Sequence, residues 1–191
     1  MPLALESIEV DTKNSGFTMP SERKTGSLLQ VLAATKPGGR FLELGTGTGL
    51  STCWILDGMN PDAHLISVDN DENVISIAQK HLGTDTRVKF VCEDGARFLS
   101  TIDGQRFDLI FADTWPGKFT HLDEALCLLK PGGLYVIDDL SPQTNWPEEH
   151  AAKVPRLIEA LEMRQDLFVT KLNWATGLIV ATRKAEPFVQ D

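Results

Sequence analysis

Short apolar runs alternate with longer amphipathic stretches through most of this sequence. The apolar runs are residues 41–44, 64–69, 88–92, 107–113 and 134–138, and the stretches between them, at about 48–59, 71–82, 95–101 and 119–129, have helical spacing. This alternation is typical of βαβ units, in which parallel strands form one sheet with helices on both of its faces. The sequence therefore predicts a doubly wound α/β fold.

The flanking segments extend this pattern. A helix is predicted at about 21–35, before the first strand, and another at about 148–164, where Pro155 interrupts its start. The runs 169–174 and 178–182 surround a short turn and predict a closing hairpin, so we expect at least one antiparallel edge strand. The complete prediction is a mostly parallel, seven-stranded Rossmann-like sheet with a C-terminal antiparallel hairpin.

Length and charge limit the number of domains and the classes of partner. The 191 residues suit one domain spanning 1–191, in which 1–15 and 186–191 read as loose ends. A formal net charge of −9 argues against nucleic acid as a partner. No apolar run is long enough to span a membrane, and no secretory signal begins the sequence. Three scattered cysteines fit a reducing compartment, so we expect a cytoplasmic protein that acts on a small molecule.

The most informative motif is the stretch Glu43-Leu-Gly45-Thr-Gly47-Thr-Gly49, between the first strand and the next helix. Glycines at this position let the backbone turn sharply and approach a ligand closely. The alternative is a plain strand-to-helix turn. A dinucleotide site would have the spacing G-x-G-x-x-G, whereas Leu50 follows Gly49 here. Glu43 would repel a pyrophosphate but suits a ligand with sulfonium and amino groups, which favours S-adenosylmethionine over NAD.

Acidic residues follow the next two strands. Asp69 ends the second strand at the distance from the glycines where an acid can hold ribose hydroxyls, although it could also cap a helix. Asp94 follows the third strand and could accept a hydrogen bond from an adenine amino group, or be an ordinary loop acid. Because open α/β sheets bind ligands at the carboxyl ends of their strands, acids at successive strand ends predict one shared ligand site.

The motifs ELGTGTG, VDND, EDGA, FAD and LLKPGGLYVIDD, in this order, resemble those of class I S-adenosylmethionine-dependent methyltransferases. Within that class the chain is most similar to bacterial and plant O-methyltransferases related to the catechol and caffeoyl-coenzyme A enzymes. The resemblance implies that Met19, Glu43, Gly45, Gly47, Gly49, Ser51, Asp69, Asp94, Gly95, Ala96 and Asp113 bind the donor.

The resemblance also implies a metal site and a catalytic group. Asp113 with the pair Asp138 and Asp139 would bind Mg²⁺ or another hard divalent cation, which would orient an acceptor hydroxyl. Asp113 would also be catalytic, together with Lys118. The family usually has Asp-Asn at the pair and a lysine nearer to the first acid, so Lys118 could instead be a solvated charge, and the acids could be caps.

Other readings of the sequence stay open. Trp115 and Trp146 could form apolar walls for a flat acceptor, and His150 is an alternative general base. The predicted function is methyl transfer to a hydroxyl of a small molecule with help from a divalent cation. The alternatives are a metal-independent methyltransferase of the same fold and a non-catalytic module that binds S-adenosylmethionine. A homodimer is compatible with either.

Overall fold

The computed structural model describes residues 1–144, 146 and 148–185, and of Glu148 only the backbone. In this part of the chain the strands are β1 (Arg40–Leu44), β2 (His64–Asp69), β3 (Val88–Cys92), β4 (Phe107–Ala112), β5 (Leu129–Ile137), β6 (Leu167–Leu172) and β7 (Leu178–Arg183). The helices are α1 (Leu5–Ser15), α2 (Arg23–Ala34), α3 (Leu50–Gly58), α4 (Glu72–Leu82), α5 (Gly95–Thr101), α6 (Leu122–Cys127) and α7 (Glu148–Glu162).

The seven strands form one sheet in the order β3-β2-β1-β4-β5-β7-β6. Strands β1 to β5 pair in parallel, and β7 pairs antiparallel with both β5 and β6. The predicted fold class is therefore confirmed. The strand that runs against the others is β7, one position in from the edge, because the hairpin turn returns the chain between β5 and β6.

Most predicted elements lie within a few residues of their observed positions. Helix α4 begins after Asp71, whose side chain accepts a hydrogen bond of 2.9 Å from the backbone N–H of Asn73. Helix α6 is shorter than predicted because β5 already begins at Leu129, which pairs with Phe107 of β4. Pro155 is accommodated inside α7.

The amino-terminal segment differs from its prediction. Residues 5–15 form α1, with Leu5 and Ile8 fully buried against the core, so the expectation of a loose end over 1–15 is wrong. Asp11 pairs with Lys80 and His81 of α4, and Glu9 pairs with Arg23 of α2. Two apolar residues one helical turn apart suffice here because neighbouring helices supply the rest of the packing. The other predicted loose end, 186–191, lies outside the described residues.

Two apolar clusters cover the two faces of the sheet. Alternate residues of β1 point to opposite faces, so Phe41 packs in the cluster with α1, α2 and α3, and Leu42 in the cluster with α5, α6 and α7. Glu43 shares the face of Phe41 and is equally buried. None of the described helices combines the length and the apolar character that crossing a membrane requires.

Candidate functional site

Three adjoining cavities lie along the carboxyl ends of the parallel strands. The central cavity, about 260 Å³, lies between the glycine loop and residues 17–21. The β3-side cavity, about 200 Å³, shares Gly45 and Asp69 with it. The acidic cavity, about 130 Å³, shares Met19, Asp113 and Asp139 with the central cavity. Because neighbouring cavities have walls in common, they form one cleft, at the sheet edge where the sequence predicts a ligand site.

The glycine loop forms the floor of the central cavity. Gly45 has φ +106°, and a Cβ atom there would lie 2.7 Å from the side chain of Thr114. Gly47 has φ +50° and lies under the ring of Phe17. Gly49 differs, since a Cβ atom there would meet Ala78 of α4, and it lines none of the three cavities. Gly45 and Gly47 therefore line the cavity, and their donor-binding role stays a prediction, whereas Gly49 serves the packing of α3 on α4.

Asp69 is fixed at the junction of the central and β3-side cavities. Its Oδ2 atom accepts a hydrogen bond of 2.7 Å from the backbone N–H of Gly47, and its Oδ1 atom accepts one of 3.0 Å from Asp71. These bonds fix the carboxylate against the glycine loop. Each oxygen keeps a lone pair for a ligand.

Glu43 lies beneath the central cavity and does not line it. Its Oε2 atom accepts hydrogen bonds of 2.6 Å from the hydroxyls of Thr52 and Ser67, while Oε1 is buried without a partner. Burial raises the pKa of Glu43 to about 7, and hydroxyl donors, Ser51 among them, oppose the shift. Ser51, which does line the cavity, stands between Glu43 and any ligand.

The β3-side cavity has an exposed acid on one side and apolar side chains on the other. Asp94 caps α5 by accepting a hydrogen bond of 2.9 Å from the backbone N–H of Arg97. Gly95 lies against Pro116, and Trp115 completes the wall. Ala96 is in the first turn of α5 but lines none of the three cavities. Of Asp94 and Ala96, which the resemblance implies as the adenine contacts, only Asp94 thus reaches the cavity, and Gly95 of the donor-binding set lines it too.

Residues 17–21 form a roof over two of the cavities. Met19 lines both the central and the acidic cavity, as the sequence predicts for a residue that closes over the donor. Phe17 and Ser21 line the central cavity too, and the sequence analysis missed both. The buried Thr12 of α1 is hydrogen-bonded to Thr48 of the glycine loop at 2.7 Å. Helix α1 therefore holds the start of the roof against the loop.

Asp113 lies at the boundary of the central and acidic cavities and interacts with two side chains. Its Oδ2 atom accepts a hydrogen bond of 2.9 Å from Ser21, and its Oδ1 atom is buried without a hydrogen-bond partner, 3.8 Å from the Nζ atom of Lys118. Burial raises the pKa of Asp113 well above its ordinary value, and the Lys118 charge opposes the shift. Lys118 is only 2% exposed, so its reading as a solvated charge is wrong.

Asp138 is buried and has donors on both of its oxygens. Oδ2 accepts a hydrogen bond of 2.9 Å from Thr25 of α2, and Oδ1 accepts from Thr176 and, at 2.8 Å, from the backbone N–H of Asp139. Burial raises the pKa of Asp138, and the hydroxyl donors oppose that effect. Asp139 follows with φ +60° and lines both the central and the acidic cavity.

The described residues, as arranged, do not fit the magnesium site that the sequence predicts. No group of three His, Cys, Asp or Glu side chains among them is placed to hold one ion. Both oxygens of Asp138 are already bonded, and Asp113 has an ammonium group beside its unbonded oxygen. Mg²⁺ needs several free oxygens at near-octahedral positions. The metal site stays a prediction from the sequence.

Aromatic side chains pack beside the acidic cavity. His150 stacks on Trp146 with ring centroids 4.2 Å apart and meets the edge of Phe119 at 4.8 Å. Its Nε2 atom is hydrogen-bonded to the backbone oxygen of Asp139, and burial lowers its pKa. Trp146 lines the acidic cavity and Trp115 the β3-side cavity, whereas His150 lines none of the three. His150 thus supports the cavity wall.

Comparison with known proteins gives consistent matches. Residues 42–140 match the family model described as a methyltransferase domain. A candidate O-methyltransferase of Mycobacterium avium (strain 104) is 28% identical over 117 residues, which cover 59% of this chain and 53% of the relative. This chain thus spans about half the length of that curated relative.

Solved structures share the fold over nearly the whole chain. The O-methyltransferase TomG from Streptomyces achromogenes, in complex with SAM, is 23% identical with a TM-score of 0.83, and the match covers 97% of this chain and 91% of that one. The O-methyltransferase from Bacillus cereus, in complex with SAH, is 20% identical with a TM-score of 0.81, covering 95% and 90%.

The sheet order is that of a doubly wound fold, which these solved structures share, and the glycine-loop cleft lies at its carboxyl edge. The chain belongs to the methyltransferase domain family, whose model matches more than half of its length. The resemblance seen in the sequence motifs is therefore confirmed.

Proposed function

We propose that this chain transfers a methyl group from S-adenosylmethionine to a hydroxyl group of a small molecule. The observation that carries the proposal is the single cleft in which a glycine-floored cavity lies between the β3-side cavity and the acidic cavity. Three connected spaces suit an adenosine, a methionine and an acceptor. The similar folds of two O-methyltransferases in complex with SAM or SAH support the same assignment.

The adenosine part of the donor is assigned to the β3-side cavity and its junction with the central one. Asp69 would accept hydrogen bonds from the ribose hydroxyls, because its carboxylate is already oriented by Gly47 and Asp71. Adenine would lie between Gly95 and Trp115, with Asp94 at its polar edge. A flat aromatic ligand suits a slot with apolar walls and one polar side.

The methionine part is assigned to the central cavity. Gly45 and Gly47 leave space for it, and Ser51 offers a hydroxyl from the first turn of α3. Glu43 would act from below through Ser51, whose hydroxyl is one of the donors to its buried carboxyl group. Met19 would cover the donor from the roof.

The acceptor is assigned to the acidic cavity, where Asp113 faces the boundary with the donor. In the transfer, the acceptor oxygen forms a bond to the methyl carbon as the carbon–sulfur bond breaks and its electron pair stays on sulfur, and the hydroxyl proton passes to the carboxylate of Asp113. Burial raises the pKa of Asp113, which favours uptake of the proton, and Lys118 lies beside the carboxylate and keeps it in place. Holding donor and acceptor in line and excluding water supplies most of the acceleration.

Calorimetry with S-adenosylmethionine and S-adenosylhomocysteine tests the donor assignment, and turnover of labelled donor with a panel of small phenols tests the reaction. We expect binding in the micromolar range and stabilisation by about 2.7 kcal/mol at a hundredfold excess of ligand over Kd. Binding of NAD without binding of S-adenosylmethionine would contradict the proposal. Donor binding without turnover on any acceptor would favour a non-catalytic module.

A further inference from the structure

The acidic cavity concentrates negative charge without a cation on its walls. Four carboxylate side chains line it, and none of its described lining residues is Lys, Arg or His. A cavity of this kind is costly unless positive charge lies close by. The ammonium group of Lys118 lies 3.8 Å from Oδ1 of Asp113 and is almost completely buried.

The side chain of Asp138 links three chain segments through hydrogen bonds. Its oxygens accept from Thr25 in α2, from Thr176 in the turn between β6 and β7, and from the backbone that follows β5. The same turn is also held by the backbone N–H groups of Leu140 and Ser141, which donate to the carbonyl oxygen of Thr176 at 3.1 and 2.8 Å. Oδ1 of Asp138 already has two donors and Oδ2 has one, so a metal ion at Oδ1 would displace a buried donor and only one lone pair, on Oδ2, is left for it.

The backbone around Lys118 is tightly folded. The N–H groups of Lys118, Phe119 and Thr120 all donate to the carbonyl oxygen of Trp115, at 3.0, 2.8 and 3.1 Å. The hydroxyl of Tyr135, a fully buried residue, donates to the carbonyl oxygen of Gly117 at 2.5 Å. These bonds fix the position from which the Lys118 side chain extends. Its ammonium group also lies 5.8 Å from the centroid of the Phe119 ring.

We propose that the ammonium group of Lys118 takes the place of a divalent cation at this site, and that Asp113, Asp138 and Asp139 bind no metal. Lys118 is then a positioning residue, which keeps the carboxylate of Asp113 oriented towards the acceptor and negatively charged. Asp138 has a structural role. The consequence for turnover rests on the proposed function, but the absence of metal binding is measured without turnover.

Titration with Mn²⁺, followed by electron paramagnetic resonance, tests the proposal on the whole chain. We expect no specific binding by the unaltered protein up to about 1 mM, the weak end of protein sites for hard divalent cations. Lys118→Met removes the charge at similar size, and the double variant Lys118→Met with Thr25→Val also frees one oxygen of Asp138. We expect Mn²⁺ binding to strengthen in this order, at least tenfold by the double variant.

A matched control is Lys36→Met, which removes a lysine bonded to the carbonyl oxygen of Gly132, outside the cleft. It should bind no more Mn²⁺ than the unaltered protein. With an identified acceptor, turnover should persist in excess chelator, and Lys118→Met should lower kcat at least tenfold with little change in donor affinity.

Tight Mn²⁺ binding by the unaltered protein that Asp138→Asn abolishes would overturn the proposal. So would loss of turnover in chelator that Mg²⁺ restores. If the lysine variants do not fold, the Mn²⁺ titration of the unaltered protein still tests whether the acids bind a metal. If no acceptor is turned over, the proposed function fails while the metal titration still gives its answer.

Discussion

The Oγ atom of Ser21 donates a hydrogen bond of 2.9 Å to Oδ2 of Asp113, which joins the roof of the cleft to the end of β4. The two residues are far apart in sequence, and both line the central and the acidic cavity. The roof is therefore bonded to the carboxylate assigned to the acceptor, so roof position and carboxylate orientation depend on each other.

Ser21→Ala removes this bond and leaves Asp113 with one fewer donor. We expect kcat/KM for the acceptor to fall about tenfold, which corresponds to about 1.4 kcal/mol, with donor affinity changed less than threefold. Steady-state kinetics with varied acceptor and donor measures both. Ser27→Ala is the control, because the hydroxyl of Ser27 in α2 donates to the backbone oxygen of Lys24 and Ser27 lines none of the three cavities. Equal effects of the two substitutions would refute the role of the Ser21 bond.

Asp69→Asn keeps the size of the side chain but removes its charge and one acceptor oxygen. We expect the affinity for S-adenosylmethionine to fall by a factor on the order of 10 or more, since charge-assisted hydrogen bonds contribute about 1.5–3 kcal/mol each. Isothermal calorimetry measures the change, and the exposed Asp62→Asn serves as control. Unchanged affinity would remove Asp69 from the donor site.

Gly45→Ala introduces a methyl group where the backbone has φ +106° and where Thr114 lies 2.7 Å away. We expect both lower stability and loss of donor binding, because the loop must move. Gly38→Ala separates the two causes: Gly38 has φ +67° with nothing within 4 Å, so it should cost about 1–2 kcal/mol of strain and leave donor binding intact. Equal loss of donor affinity in both variants would contradict this account.

Glu43 makes the stability of the unliganded protein depend on pH. Burial raises its pKa from 4.5 to about 7, so the folded protein keeps a proton that the unfolded chain releases. The stability from this proton is fully present below pH 4.5 and is lost as the pH rises through 7, about 3 kcal/mol in total.

In Glu43→Gln the side chain does not titrate. The free energy of unfolding of this variant should therefore change less between about pH 5 and 8 than that of the unaltered protein. Urea unfolding at several pH values measures the slope. The exposed Glu124→Gln should keep the original slope. A parallel loss of stability with pH in the Glu43 variant would show that another group is responsible.

The sheet was predictable because each of its first five strands contains a short apolar run, although β5 begins five residues before the run that predicted it. Helix α1 was not, because Leu5 and Ile8 are its only fully buried apolar residues, and acids dominate the rest of the segment. The direction of β7 required tertiary information, since a hairpin in sequence does not say which of its strands joins the sheet.

The site was predictable at the residues that a motif places at a strand end, such as Gly45 and Asp69. The roles of Gly49 and Glu43 were harder to predict from the sequence. Whether such a residue lines the cavity or packs inside the protein depends on the helix that lies against it. The sequence alone could not predict which groups offset the charges of Asp113 and Asp138. Lys118 is buried by the folding of its own loop, and the sequence gives no sign of the hydroxyls that meet Asp138.

The place of β7 inside the sheet affects how the chain is completed during synthesis. Strand β5 pairs with β4 on one side and with β7 on the other, yet β7 is made after β6. A nascent chain that has left the ribosome only as far as β6 therefore has every strand of the parallel half in place but presents β5 as an open, apolar edge. Such an edge can pair with another chain, so the interval before β7 emerges is when this protein is most exposed to misassembly.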